Sequence, residues 1–307
     1  MKYNDEEYRA VVGVYIGDIF YSNASYNSKI ADIRKYAEVI VRRLIHRGGK
    51  KPLTLGNQYT KEKLRKRGIE EEMFWNALEK INSVGSDRTH TQVTTVATKR
   101  EFDDVVDSLF DLYAYLFVYF FKRFRFGQNQ AIVTSFSILP PIIRYKALNE
   151  LYLQDPENTT VIDKLTLSIL KAFSADKAKE WIDEHKSSLE QMHYNDDFSL
   201  DAYKNMIAEH GVSFANDVIL MVAQQRTETV YDICMDKVLK LSQSNWSPLY
   251  NSFETALTYY KNNGVVSGDS KEVEEFNALM SFVYMGRKED ADALKKEQEQ
   301  SFIIDQI

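Results

Sequence analysis

Cysteine is almost missing from this chain: Cys234 stands alone in 307 residues. A single thiol excludes an internal disulfide and any cysteine-based zinc site. Its neighbours, Tyr231-Asp232-Ile233 and Met235, place it in a helix, where a buried inert thiol is the default. Proline and glycine are scarce as well, at 5 and 12 residues, which argues against a loop-rich or disordered chain and against many β-turns. The longest apolar run, Leu109 to Phe121, covers 13 residues and is broken by Asp111; a membrane helix needs roughly 18 or more. Asp5-Glu6-Glu7 occupy the place where a cleavable signal carries positive charge. A soluble cytoplasmic protein is expected. His185, His193 and His210 are scattered without a His-x-x-x-His spacing, and Gly264 to Lys271 lacks the glycine spacing of a phosphate loop. Neither a metal nor a cofactor is expected.

What is present is helical periodicity. Hydrophobic residues make up 44% of the chain and aromatics 13%, ample for a dry core. Tyr8, Val11, Val12, Tyr15, Ile16, Ile19 and Phe20 recur at the 3/4 spacing of an amphipathic helix. Ile30, Ile33, Ala37, Ile40, Val41 and Leu44 form a second stripe over about 28–47, closed by Gly48-Gly49 and Pro52. Lys61 to Arg67 predicts a short basic helix ended by Gly68, and residues 70–81 a further helix with acids in its first turn. Residues 80–90 are expected to form a loop ending at His90. A long helix from Lys99 to Phe124 is apolar on nearly every face in its second half, as the centre of a bundle would be. Past the boundary suggested by Gly127-Gln128-Asn129-Gln130, helices are expected near 141–153, 159–173, 175–188, 199–210, 213–225, 227–243, 246–262 and 271–298. The expectation is an all-α chain: a helical bundle over 1–127, then a helical-hairpin or solenoid-like interaction domain over 131–307.

Charge divides the same way. Residues 1–130 hold 22 Lys and Arg against 17 Asp and Glu, and residues 131–307 hold 17 against 28. A polyanion therefore meets the first part more readily, and the acidic later helices suit a protein partner. Arg42, Arg43, Arg47, Lys50 and Lys51, together with Lys61, Lys63, Arg65, Lys66 and Arg67, are candidates for a basic face toward RNA or another polyanion. Asp103, Asp107 and Asp111 share one side of a helix, but without a second acidic or histidine-bearing element they read as a solvated stripe rather than a metal site.

A helix carrying Arg34, Glu38 and Arg42, then the basic loop-helix, a turn with Gly85 and His90 five residues apart, and the long apolar helix make a recognisable order. Over residues 25–125 it resembles the HEPN (higher eukaryotes and prokaryotes nucleotide-binding) superfamily, nearest to bacterial helical domains with an Arg-x-x-Gly-Asn-x-x-x-His pattern. His90 and Gly85 match that pattern, whereas Asn82 stands at the Arg and Ser86 at the Asn. The resemblance implies a dimer or larger homo-oligomer and, in nuclease members, metal-independent RNA cleavage by an Arg and a His. Asn82 cannot carry the charge, so the favoured expectation is a non-catalytic interaction protein with a degenerate site. The resemblance implies a role in a prokaryotic phage-defence or counter-defence system. The alternative is an endoribonuclease using His90 with Arg88, the imidazole moving a proton and the guanidinium neutralising the phosphorane.

Overall fold

The computed structural model describes residues 3–49, 51–88, 94–193, 207, 211–214, 216, 228–243 and 251–290. Every regular element among them is helical, with no strand. The helices expected near 199–210 and 213–225, and the apolar Ser301-Phe302-Ile303-Ile304 end, lie wholly or largely outside the described residues.

Helix α5 (Lys99–Phe121) is the axis of the molecule. Thr98 and Glu101 form a capping box at its start, each side chain bonding the other's backbone amide. Tyr113 to Val118 are buried on consecutive positions, so neighbours must cover this helix all round. They come from both ends of the chain. Helices α2 (Tyr26–Leu44) and α4 (Glu72–Asp87) pack against it from the amino-terminal side, with α1 (Asp5–Ile16) laid on α2. From the other side come α7 (Pro141–Gln154) and, near the end of the chain, α13 (Lys271–Val283). Between these lie α3 (Gln58–Arg65), α6 (Gln130–Phe136), α8 (Thr159–Ala172), α9 (Ala175–Glu184), α10 (Lys186–Leu189), α11 (Val230–Gln243) and α12 (Phe253–Tyr259). Helices α7, α8, α9 and α11 stack in sequence as neighbours. Cys234 on α11 is fully buried, and burial, then the nearby Asp163 carboxylate, pushes its thiol up to about 12, far from reactive.

One apolar cluster runs from Val12 to Met285, continuous across the 127–130 segment where composition suggested a boundary. Phe117 on α5 meets Phe136 of α6 edge-on at 5.4 Å and Phe276 of α13 at 6.4 Å. The final described segment is locked onto the first helix: a Cβ at Gly286, where φ is +77°, would stand 2.9 Å from the Gly13 Cα. The next residue, Arg287, is 2% exposed at its side chain and lies between the rings of Phe20 (3.7 Å) and Phe253 (4.0 Å). Phe20 reaches it from a π-helical turn, Gly17–Tyr21, into which α1 continues. The extra residue of that turn rotates the following side chains toward α12, where Tyr21 Oη donates to Glu254 at 2.5 Å.

The 80–90 stretch departs from the expected loop. Helix α4 continues through Asn82, Ser83 and Gly85 to Asp87. These residues are weak helix formers, so tertiary packing decides. Gly85 is buried, and a Cβ there would lie 2.7 Å from the Arg34 Cβ on α2. The glycine is thus a notch that lets α2 and α4 approach, with Arg34 across it held to Glu38 at 3.5 Å. We expect Gly85→Ala to destabilise the fold by about 1–3 kcal/mol through overpacking, despite the better helix propensity of alanine. Urea unfolding checks this; an unchanged or raised midpoint contradicts it.

Candidate functional site

Residues 42–67 carry ten Lys and Arg against one acid, Glu62, and the fold gathers part of this charge into a cleft. Helix α2 stops at Leu44 because His46 turns left-handed, φ +53°. The His46 amide donates to the Arg43 carbonyl and the Arg47 amide to that of Arg42 at 2.8 Å, satisfying the last carbonyls of the helix. Gly48 and Gly49 then reverse the chain. Arg42 holds the reversal in place: its Nη2 donates to the Lys51 carbonyl at 2.7 Å and its Nη1 reaches the Gly49 carbonyl at 3.5 Å. Buried Leu53 and Leu55 anchor the segment that follows. Asn57 caps α3, accepting from the Tyr59 amide at 2.8 Å. Thr60 and Leu64 face inward on α3, which turns Tyr59, Lys63 and Lys66 outward, and Gly68 (φ +74°) ends the segment.

The result is an open cleft of about 580 Å³ between the end of α2 and α3. Arg47, Lys51, Lys63, Lys66 and Arg67 line it, with His46, Tyr59 and the backbone of Gly48 and Gly49. No carboxylate does. Among the described residues, none of those five cations is in an ion pair. Tyr59 is 51% exposed, unlike the many core tyrosines. The Arg47 guanidinium lies 5.3 Å and the Lys63 ammonium 5.4 Å from its ring centre. Helix C-termini favour cations, and two of them meet here. Each supplies only about half a negative charge, so five full positive charges dominate the field. The arrangement suits phosphate groups: several long cationic side chains beside an exposed ring on which a planar group can stack.

The remaining basic candidates go elsewhere. Arg42 is the staple just described. Arg43 pairs with Asp5 at 3.3 Å and lies over Phe282 at 5.0 Å, joining α2 to α1 and α13. Lys61 and Arg65 emerge on the opposite side of α3, in a second cleft toward α4. Lys50 lies outside the described residues. Tyr59 carried no signal beyond its place among basic residues.

His90 also lies outside the described residues. Arg88 is 8% exposed at its side chain; its Nη1 donates to the Thr95 carbonyl at 2.7 Å and its Nη2 binds Glu101. Thr98 hydrogen bonds first, and Arg88 after them, hold the Glu101 carboxyl below the usual range. Arg88 thereby fastens the entry of α5. Asn82 lies on α4 beside the second cleft, its amide 2.9 Å from where a Cβ on Gly56 would stand. The acidic stripe on α5 is neutralised by neighbours: Lys146 Nζ lies 3.0 Å from Asp107 and 2.6 Å from Asp111, and Lys99 pairs with Asp103. Among the described residues no group of three His, Cys, Asp or Glu is placed to hold a metal ion, and no helix is long and apolar enough to cross a membrane.

No protein-family model, curated protein or solved structure matches the chain.

Proposed function

We propose that the protein is a non-catalytic binding protein for a phosphate-rich polymer, RNA or another polyanion, held in the cleft between α2 and α3. The observation that carries this reading is the set of five cations lining one cleft with no carboxylate among them. Like charges so placed repel one another, and an incoming polyanion relieves that repulsion while releasing its own counterions. The rest of the functional reading rests on sequence. The HEPN-like order of residues 25–125 supports self-association and a role in phage defence or counter-defence, and the acidic charge of 131–307 supports a protein partner.

The endoribonuclease alternative requires Arg88 to reach a phosphate. Its engagement by Glu101 and the Thr95 carbonyl weighs against that. The experiment mixes purified protein with an end-labelled single-stranded RNA in EDTA. The expected result is a retarded complex containing intact RNA. Cleavage that His90→Ala abolishes would establish the nuclease instead, and absence of any complex would remove the binding reading.

A further inference from the structure

The second cleft gives the ligand a direction and a chemical class. It measures about 350 Å³ and lies on the other side of α3, lined by Gly56, Lys61, Arg65, Trp75, Glu79 and Asn82. The Arg65 guanidinium lies 5.2 Å from the Trp75 ring centre, while the indole nitrogen donates to the Ile69 carbonyl and fixes the ring. The first cleft has the same unit, the Arg47 guanidinium 5.3 Å from the ring centre of Tyr59. Among the described residues, neither Lys61 nor Arg65 is in an ion pair. Lys63 and Lys66 on one side, and Lys61 and Arg65 on the other, flank the buried Thr60–Leu64 face.

We infer that a single-stranded nucleic acid crosses α3, placing one base at Tyr59 and another at the Trp75–Arg65 pair, with its phosphates on the cations of the two clefts. This rests on the polyanion reading above and names its ligand. A base is the planar group that an aromatic–guanidinium pair stacks, whatever its identity. A duplex keeps its bases stacked inside and cannot use either ring. A helix with side chains is about 10–12 Å across, so the strand must be several nucleotides long to reach both rings. Two acids bear on the path. Glu62 stands on the exposed crest of α3, hydrogen-bonded by Gln58 at 3.2 Å, and Glu79 lies at the edge of the second cleft. The strand therefore turns a base or sugar, not a phosphate, toward Glu62.

The test measures binding of a trinucleotide, a single-stranded 12-mer, a 12-base-pair duplex and inorganic polyphosphate to the full chain. Indole fluorescence is read in parallel, with Trp75→Phe to assign the quench. The 12-mer is expected to bind about 100-fold tighter than the trinucleotide, beyond the roughly tenfold that its extra registers supply. It should quench Trp75, and it should outcompete duplex and polyphosphate. Lys61→Gln with Arg65→Gln should cut the 12-mer's advantage over the trinucleotide from about 100-fold to the roughly tenfold that its registers supply, with circular dichroism confirming the fold. An unchanged 12-mer affinity in that variant overturns the crossing, while the first cleft stands on the trinucleotide. Polyphosphate binding as tightly as the 12-mer, without quenching, overturns the base contacts. Failure of every probe to bind removes the first cleft as well.

Discussion

Lys63→Glu, Lys66→Glu and Arg67→Glu together are expected to weaken binding of a short single-stranded RNA about 100-fold at physiological salt. The three side chains line the first cleft, are exposed, and pair with no carboxylate among the described residues. The fold does not depend on them, so it should persist. Each exposed cation–phosphate attraction supplies about 0.5 kcal/mol, reversing the charge doubles that loss, and about 1.4 kcal/mol is a factor of ten. Replacing three attractions by three repulsions therefore reaches two orders of magnitude. The matching reversal at Arg42 and Arg43 has a different outcome. Arg42 holds the Gly49 and Lys51 carbonyls and Arg43 the Asp5 pair, so that variant should lose stability together with binding. Equilibrium anisotropy, paired with thermal melts, separates the two cases. Full binding by the triple variant at an unchanged melting point would contradict the assignment of the cleft.

Phe117→Ala is expected to cost about 3–5 kcal/mol, the range for truncating a buried phenylalanine. Phe117 is fully buried and touches ring systems from α6 and α13, elements separated by more than a hundred residues. The loss should appear in one cooperative transition followed by both helicity and tyrosine fluorescence, because the same cluster joins Val12 to Met285. Phe276→Ala on α13 should shift the same transition. Two separated transitions, with only one of them moved, would show that the core is divided and would falsify the continuous packing described above.

Much of the fold was legible in the pattern of apolar residues. Ile30, Ile33, Ala37, Ile40, Val41 and Leu44 all proved buried on α2, and the apolar second half of α5 is covered on nearly every side. The short basic helix overlaps the expected one over residues 61–65 but starts at Gln58, where Asn57 caps it, and Gly68 closes the turn that follows. What escaped was set by packing between segments distant in sequence. Gly85 read as loop because glycine, asparagine and serine are weak helix formers, yet Arg34 of α2 packs on it and the helix runs on. The paired glycines at 48 and 49 advertised the end of α2, whereas His46 takes the left-handed position two residues earlier. Histidine is among the non-glycine residues that tolerate it. The π turns at 17–21 and 260–264 break the 3.6 period on which such reading depends. The return of Phe276 to α5 and of Phe282 to α2 has no local signature.

The candidate site was legible in kind and not in arrangement. A run of basic residues signalled a surface for anions. Nothing in residue type separates Arg42, spent on backbone carbonyls, from Arg47, which lines the cleft. Nor does it say that α3 presents Lys63 and Lys66 to one cleft and Lys61 and Arg65 to another. That division depends on which face of α3 Thr60 and Leu64 bury.

The most direct measurement is the salt dependence of wild-type affinity for a 5′-phosphorylated trinucleotide, short enough to fill only the first cleft. Its three phosphates, held by the five cations, should give a slope of log affinity against log salt of about −2. A slope near zero, or one that the Lys63, Lys66 and Arg67 reversals leave unchanged, would mean that the ligand is held somewhere else.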